Sequence, residues 1–407
     1  MRTSEGAEAR HYLTSHPWLT FKVDLQKAPA KFWLRLGEAQ SKCRHIAGVP
    51  LRPQTAQELH QLYLAKGVAA TTSIEGNTLT EEEVRRRLEG ALAKSDSNEY
   101  QIQEVDNISQ GITEIGRRVL NAAQHGGSHI NYKDLVEYNR IVLKELQLEE
   151  GIVAGVIPSR EVGVPGYRGA PREDCEYLLN RLIDWLNSNE FAPTPGDEIV
   201  YALIKAAIAH LYIAWIHPFG DGNGRTARLV EFRVLFEAGV PSPAAHLLSN
   251  HYNLTRREYY RELDRASQSG GEVIPFMMYA VDGFVLGLAK QLDMIRDQQM
   301  DTVWRSHVHE LFKGRESPAE LRRRHLVLDI SLMKEAVLVS EVRRISPRIA
   351  EEYAGKTSKT VSRDLNRLKQ MDLIRLERGR VLPNYLQVIA FLPPSTELPW
   401  FKGPTKT

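Results

Sequence analysis

The stretch HPFGDGNGRTAR, residues 217–228, decides how the chain is read. It follows the apolar run IVYALIKAAIAHLYIAWI (199–216), and its pattern opens a new helix at about Asn223. Gly220, Gly222 and Gly224 let the backbone approach a ligand closely and admit positive φ. The unpaired N–H groups at a helix start converge on one place, and the helix dipole makes that place favour an anion. Arg225 and Arg228, three apart, project from one side of the new helix. Asp221 offers a hard oxygen ligand beside the nest, where Mg²⁺ sits with phosphates. His217 suits a general base near neutral pH. A glycine loop with two solvated arginines would explain any one of these features. Together they describe phosphate chemistry.

Working outward, the apolar run is short for a membrane span and is interrupted by Lys205 and His210. It reads as a helix buried on most sides, so no membrane role is expected. His210, two turns before His217, reads as a satisfied core histidine. Tyr259 and Tyr260 read as helix packing or as lining for a base pocket. Residues 54–68 have the spacing of an amphipathic helix, and Thr80 followed by three glutamates caps another. Long helices are predicted over 99–123 and 131–146. The texture then changes. Residues 150–171, EGIVAGVIPSREVGVPGYRGAP, are rich in glycine and proline and alternate around Val162 and Val164, which predicts a β-hairpin. Helical patterning resumes at Asp174 and runs to about residue 299.

A chain of 407 residues needs more than one core. Its 42% apolar and 26% charged residues are those of an ordinary soluble protein. Two cysteines, Cys43 and Cys175, make no disulfide framework, and the opening MRTSEGAEARHY lacks an apolar core. A reducing cytoplasmic location is expected. Three regions are predicted: an N-terminal helical region (1–110), a core (111–300) and a C-terminal domain with tail (301–407).

The charge is uneven. Residues 301–407 carry +7, which leaves −5 for the first 300 of a chain at +2 overall. In this basic third, a helix-like run over 321–339 precedes a short helix at 348–353 capped by Ser346-Pro347. A turn, a helix at 359–370 and two strands around residues 377–381 follow. That is the order of a winged helix-turn-helix. Lys359, Arg363 and Arg367 recur four apart, and Arg378 and Arg380 fall on the wing. DNA binding through 346–381 and protein docking both remain open.

The motif at 217–228 resembles that of the Fic family, HxFx(D/E)GNGRxxR, at every defined position. The resemblance implies a mainly α fold, a Fic-type helical bundle with a β-hairpin flap, followed here by the small winged-helix domain. It implies a protein adenylyltransferase that uses ATP and Mg²⁺ to place AMP on a hydroxyl side chain of a protein, itself included. His217 resembles the base, Phe219 the anchor of the loop and Asp221 the Mg²⁺ ligand. Gly222, Asn223 and Gly224 resemble the anion hole, with Arg225 assisting, and Arg228 the arginine that holds the γ-phosphate. The hairpin resembles the family's flap, which pairs with the target as an added strand and would involve Val162, Gly163 and Val164. TTSIEG (71–76) resembles the inhibitory motif (S/T)xxxE(G/N), in which Glu75 would pair with Arg228 in place of the γ-phosphate. The alternatives are a nucleotide-sensing DNA-binding regulator, transfer of another nucleotide and removal of AMP. The sequence leaves the assembly open, a homodimer among the options.

Overall fold

The computed structural model describes residues 10–95, 97–123, 129–159, 163–164, 167–333 and 335–389. Contacts divide it into two compact units, 1–292 and 293–407. The N-terminal region and the core, separated at 110/111 in the sequence reading, therefore pack as one body. The division also falls eight residues earlier than the sequence reading set it, inside a long helix.

The first unit is helical. In chain order it has α1 (Tyr12–Ser15), α2 (Ala30–Gly48), α3 (Pro53–Ser73), α4 (Glu81–Leu88), α5 (Glu99–Ala123) and α6 (Tyr132–Val142). After a two-stranded hairpin, β1 (Gly163–Val164) and β2 (Tyr167–Arg168), come α7 (Arg172–Leu186), α8 (Glu198–Ile216) and α9 (Asn223–Glu237). Then follow α10 (Ser242–Ala245), α11 (Leu247–Leu254), α12 (Arg256–Gln268) and the first half of α13 (Ile274–Leu311), whose residues from Asp293 on belong to the second unit. The caps are those the sequence asks for. Thr80 accepts from the Glu83 N–H while Glu83 returns a bond to the Thr80 N–H, and Asn131 and Asp134 do the same for α6. The helix read over 131–146 ends at Val142, and Glu145 takes a positive φ of 58° in the turn that follows.

Helix α8 is the one described helix long and apolar enough to cross a membrane, and 83% of its apolar window is buried inside the fold. It packs against α9, α7 and α2, while α9 is also flanked by α3, α5 and α6. The α8–α9 pair thus runs through the core, and the loop between them opens where α3, α5 and α6 meet α9. The predicted hairpin is shorter than the 150–171 segment: Gly163 pairs with Arg168 and Val164 with Tyr167. Gly151 and Gly155 take positive φ in irregular backbone, so the glycines there serve turns rather than strands.

The second unit contains α14 (Pro318–Ser331), α15 (Pro347–Glu352) and α16 (Ser358–Gln370) with three strands, β3 (Val337–Leu338), β4 (Ile374–Glu377) and β5 (Arg380–Pro383). The antiparallel sheet has the order β3–β5–β4. The helix-like run predicted over 321–339 is corrected here. The helix ends at Ser331, and Val337 and Leu338 form an edge strand pairing with Val381 and Arg380. Their apolar side chains satisfy either pattern, and the partner strand decides. Arg378 and Gly379, both at positive φ, make the tight turn between β4 and β5. Trp304, Phe312, Ile330, Tyr353 and Leu365 are among the residues of this unit's own core.

Candidate active site

The site grows from the end of α8. His217 terminates that helix in the left-handed region, φ 49° and ψ 55°, a conformation that costs a non-glycine residue energy and turns the chain sharply. Burial pushes its imidazole pKa below 6.5, against upward pulls from the Ala214 carbonyl, Glu75 and Asp221. Phe219 is buried and fixes the loop beneath it. Gly222, at φ 75°, caps α9, and a side chain there would press on Asn139, Val142 and Leu143. The Asn223 carboxamide is committed to the loop itself: Oδ1 accepts from the Phe219 N–H at 2.9 Å, and Nδ2 donates to the Phe219 carbonyl at 2.8 Å. What Asn223 can offer an anion is therefore its backbone N–H at the helix start.

Arg225 and Arg228 both enter the interior. Arg225, 4% exposed, donates to Glu104 Oε1 at 2.5 Å and to Asp221 Oδ1 at 2.9 Å. Glu104 lies on α5, where burial pushes its carboxyl up against the pull of Arg225, and Asn77 holds its second oxygen at 3.0 Å. Asp221 keeps 40% of its side chain exposed, with Oδ1 also accepting from the Gly222 N–H. Its backbone carbonyl accepts from Asn139 Nδ2 at 2.9 Å, and Asn139 Oδ1 accepts from the Gly155 N–H at 2.8 Å. One buried asparagine thus ties the motif loop to the segment that leads into the hairpin. The base of the hairpin is tied to the end of α8 by Ala170 N–H to the Ile216 carbonyl, 3.0 Å, and by the Tyr167 hydroxyl to the Trp215 carbonyl, 2.6 Å. Of the three flap residues, Gly163 and Val164 form β1, and Val162 lies outside the described residues.

Arg228, 1% exposed, donates to Glu75 Oε1 at 2.5 Å and to the Thr71 carbonyl at 3.0 Å. Glu75 follows α3, and 31% of its side chain is exposed. Burial pushes its carboxyl up, but the charge and hydrogen bond of Arg228, with Arg225 and His217, hold it below the usual range. A Cβ at Gly224 would collide with Glu75 Oε1 and stand 3.1 Å from Arg228 Nη1. The carboxylate therefore rests on the glycine at the start of α9, where an anion would sit. Glu104, Asn139 and Asn77 were not singled out in the sequence. Their partners are far off in the chain, and no local spacing marks them.

The model of the Fic/DOC family matches residues 129–235. The protein adenylyltransferase Fic of Nematostella vectensis is 29% identical over 209 residues, 51% of this chain and 44% of that protein. That of Drosophila willistoni is 30% identical over 212 residues, 52% and 38% respectively. The chain thus spans less than half the length of these curated relatives. Among solved structures, a Fic family protein from Desulfovibrio desulfuricans G20 superposes with a TM-score of 0.53 at 20% identity, covering 87% of this chain and 94% of that one. Fic-1 from C. elegans gives 0.53 at 25% identity, with coverage of 66% and 73%. The glycine-lined helix start, the two buried arginines and the strained histidine all lie within residues 129–235, the part of this chain that matches the Fic/DOC family model.

Proposed function

We propose that the protein is an adenylyltransferase that moves AMP from ATP to a hydroxyl side chain of a protein, itself included, and that Glu75 restrains it. The observation that carries the reading is the placement of Glu75 Oε1 against Gly224 and Arg228, a carboxylate in an anion site at a helix N-terminus. The names of the relatives supply the reaction class. In the reaction, the target hydroxyl oxygen bonds to the α-phosphorus and the bond to the bridging oxygen of pyrophosphate breaks. The hydroxyl proton passes to His217, whose lowered pKa keeps it unprotonated and ready near neutral pH. Backbone N–H groups of the Gly222–Gly224 turn and the arginines hold the phosphates. With Glu75 on Arg228, the γ-phosphate loses its partner and ATP binds in a pose unfit for in-line attack.

The donor set fits Mg²⁺. Asp221 uses Oδ1 within the loop, and its other oxygen has no hydrogen-bond partner among the described residues on a side chain that is 40% exposed. No cluster of three ligating side chains occurs among the described residues. Mg²⁺ tolerates that, because it takes one or two carboxylates and completes its shell with water and phosphates. Bound there, it would neutralise phosphate charge. The buried, free thiols of Cys43 and Cys175 suit the expected cytoplasmic setting. The test is intact-mass measurement after incubation with ATP and Mg²⁺. Addition of AMP to the protein or to an added acceptor, lost in His217→Ala, supports the reading. No addition in either wild type or Glu75→Gly overturns it.

We read the second unit as a winged helix that docks DNA. Lys359, Ser362, Arg363, Asn366 and Arg367 line an open groove of ≈ 590 Å³ along the exposed face of α16. Among the described residues, Lys359, Arg363 and Arg367 have no acidic partner. Unneutralised cations on one helix face suit a phosphate backbone. A duplex titration in increasing salt tests this. No binding at low salt leaves protein docking.

A further inference from the structure

Glu104, on α5, is a carboxylate inside the site that the 217–228 motif does not include. Only 5% of its side chain is exposed. Its Oε1 accepts from Arg225 Nη1 at 2.5 Å, and its Oε2 accepts from Asn77 Nδ2 at 3.0 Å. Backbone groups set the orientation of the Asn77 carboxamide. Oδ1 accepts from the Leu79 N–H at 3.0 Å, and Nδ2 also donates to the Gln101 carbonyl at 2.9 Å. Guanidinium and amide nitrogens can only donate, so both Glu104 oxygens accept, as those of a carboxylate do.

Arg225 is thereby shared between two anions. It is 4% exposed, and its Nε has no hydrogen-bond partner among the described residues. Glu104 holds Nη1, and Asp221 Oδ1 holds Nη2 at 2.9 Å, each with a single oxygen. A guanidinium beside one carboxylate favours a two-oxygen fork. A buried cation that loses one of two anions leans harder on the other. That fork is open to Asp221, because its Oδ2 has no hydrogen-bond partner among the described residues and 40% of its side chain is exposed. Without Glu104, Arg225 would take both Asp221 oxygens. The local charge would also rise by one unit, which repels a dication. Both effects work against a metal at Asp221.

We infer that Glu104 is a positioning residue: braced by Asn77, it holds Arg225 off the second Asp221 oxygen and so keeps that oxygen for the metal. The inference deepens the proposed function and rests on its reading of Asp221. Both oxygens of Glu104 are already taken, so it acts through Arg225 and not as a ligand.

The test uses ADP, which is not turned over and has no γ-phosphate to compete with Glu75. Titration calorimetry gives the ADP affinity in EDTA and in saturating Mg²⁺, and the ratio of the two is the contribution of the metal. Asp221→Asn should remove most of the wild-type ratio. If it does not, the reading of Asp221 fails and takes the inference with it. Glu104→Gln should cut the ratio about tenfold, the worth of one interaction with a charged group. Its ADP affinity in EDTA should stay within about twofold or rise, since a negative charge near the phosphates is gone. Glu104→Asp keeps the charge and should hold the ratio within about threefold of wild type. With Asp221→Asn lowering the ratio, a Glu104→Gln protein whose ratio is unchanged overturns the inference. An equal loss of affinity in EDTA and in Mg²⁺ does so too, and is what a merely structural ion pair would give. Thermal unfolding reports whether Glu104→Gln is folded. If it is not, Asn77→Ala decides, because it leaves every charge in place and removes only the brace: a lowered ratio supports the inference and a wild-type ratio overturns it.

Discussion

Removal of the Glu75 carboxylate is the perturbation that the site describes most fully. Arg228 has 1% of its side chain exposed and Glu75 31%, and their atoms meet at 2.5 Å. Unit charges at about 4 Å in a partly shielded protein site attract by about 4 kcal/mol. The exposed third of Glu75 and the cost of burying the arginine reduce what the pair adds, to roughly 2–3 kcal/mol. In Glu75→Gly that interaction becomes available to the γ-phosphate, so the AMP-transfer rate should rise roughly thirty- to a hundredfold, at tenfold for each 1.4 kcal/mol. Glu75→Gln, which keeps the bulk and loses the charge, should give part of the gain. Incorporation of α-labelled ATP into an acceptor, followed over time at saturating ATP, reads the rate. ATP affinity should change less, because the restraint acts on pose. A folded Glu75→Gly protein that binds ATP and labels no faster than wild type would refute the assignment.

Further outcomes follow from the same geometry. The acid limb of the kcat/KM profile should have its midpoint below 6.5, since burial lowers the His217 pKa and the neutral base persists as pH falls. Glu75→Gly should move that limb lower still, because Glu75 pulls the imidazole up; a midpoint above 6.5 in wild type would contradict this. Asp221→Asn should raise the Mg²⁺ concentration needed for half-maximal rate, measured by Mg²⁺ titration, and an unchanged curve would remove Asp221 as the ligand. Asn139→Ala orphans the Gly155 N–H and the donors' partners at Asp221 and Thr226, and should cost about 1–3 kcal/mol in chemical denaturation while lowering transfer. Replacing Lys359, Arg363 and Arg367 by alanine should flatten the salt dependence of duplex binding by about three units of slope on a log–log plot.

What could be read from the sequence was what is local in it. The burial of α8, the caps at Thr80 and Ser346 and the helix start at Asn223 each depend on residues within a turn or two. The glycines of 217–228 mark their own backbone needs. The Glu75–Arg228 pair spans 153 residues and was reachable only through the resemblance of TTSIEG to a known motif. Glu104 and Asn139 carried no such flag. They find Arg225 and Asp221 across 121 and 82 residues, and an isolated glutamate or asparagine on a helix looks the same whether it faces water or a loop. The edge strand at Val337–Leu338 was hidden for a related reason, since two apolar residues fit a helix until β5 arrives to pair with them.

The central claim, nucleotidyl transfer through His217, is tested most directly by giving Glu75→Gly protein ATP labelled at the α-phosphorus in one reaction and at the γ-phosphorus in another, with Mg²⁺ and a protein acceptor. The account expects α-label on protein, no γ-label, and loss of the α-label in Glu75→Gly/His217→Ala. Label from the γ-position, or α-label that survives the loss of His217, would contradict it.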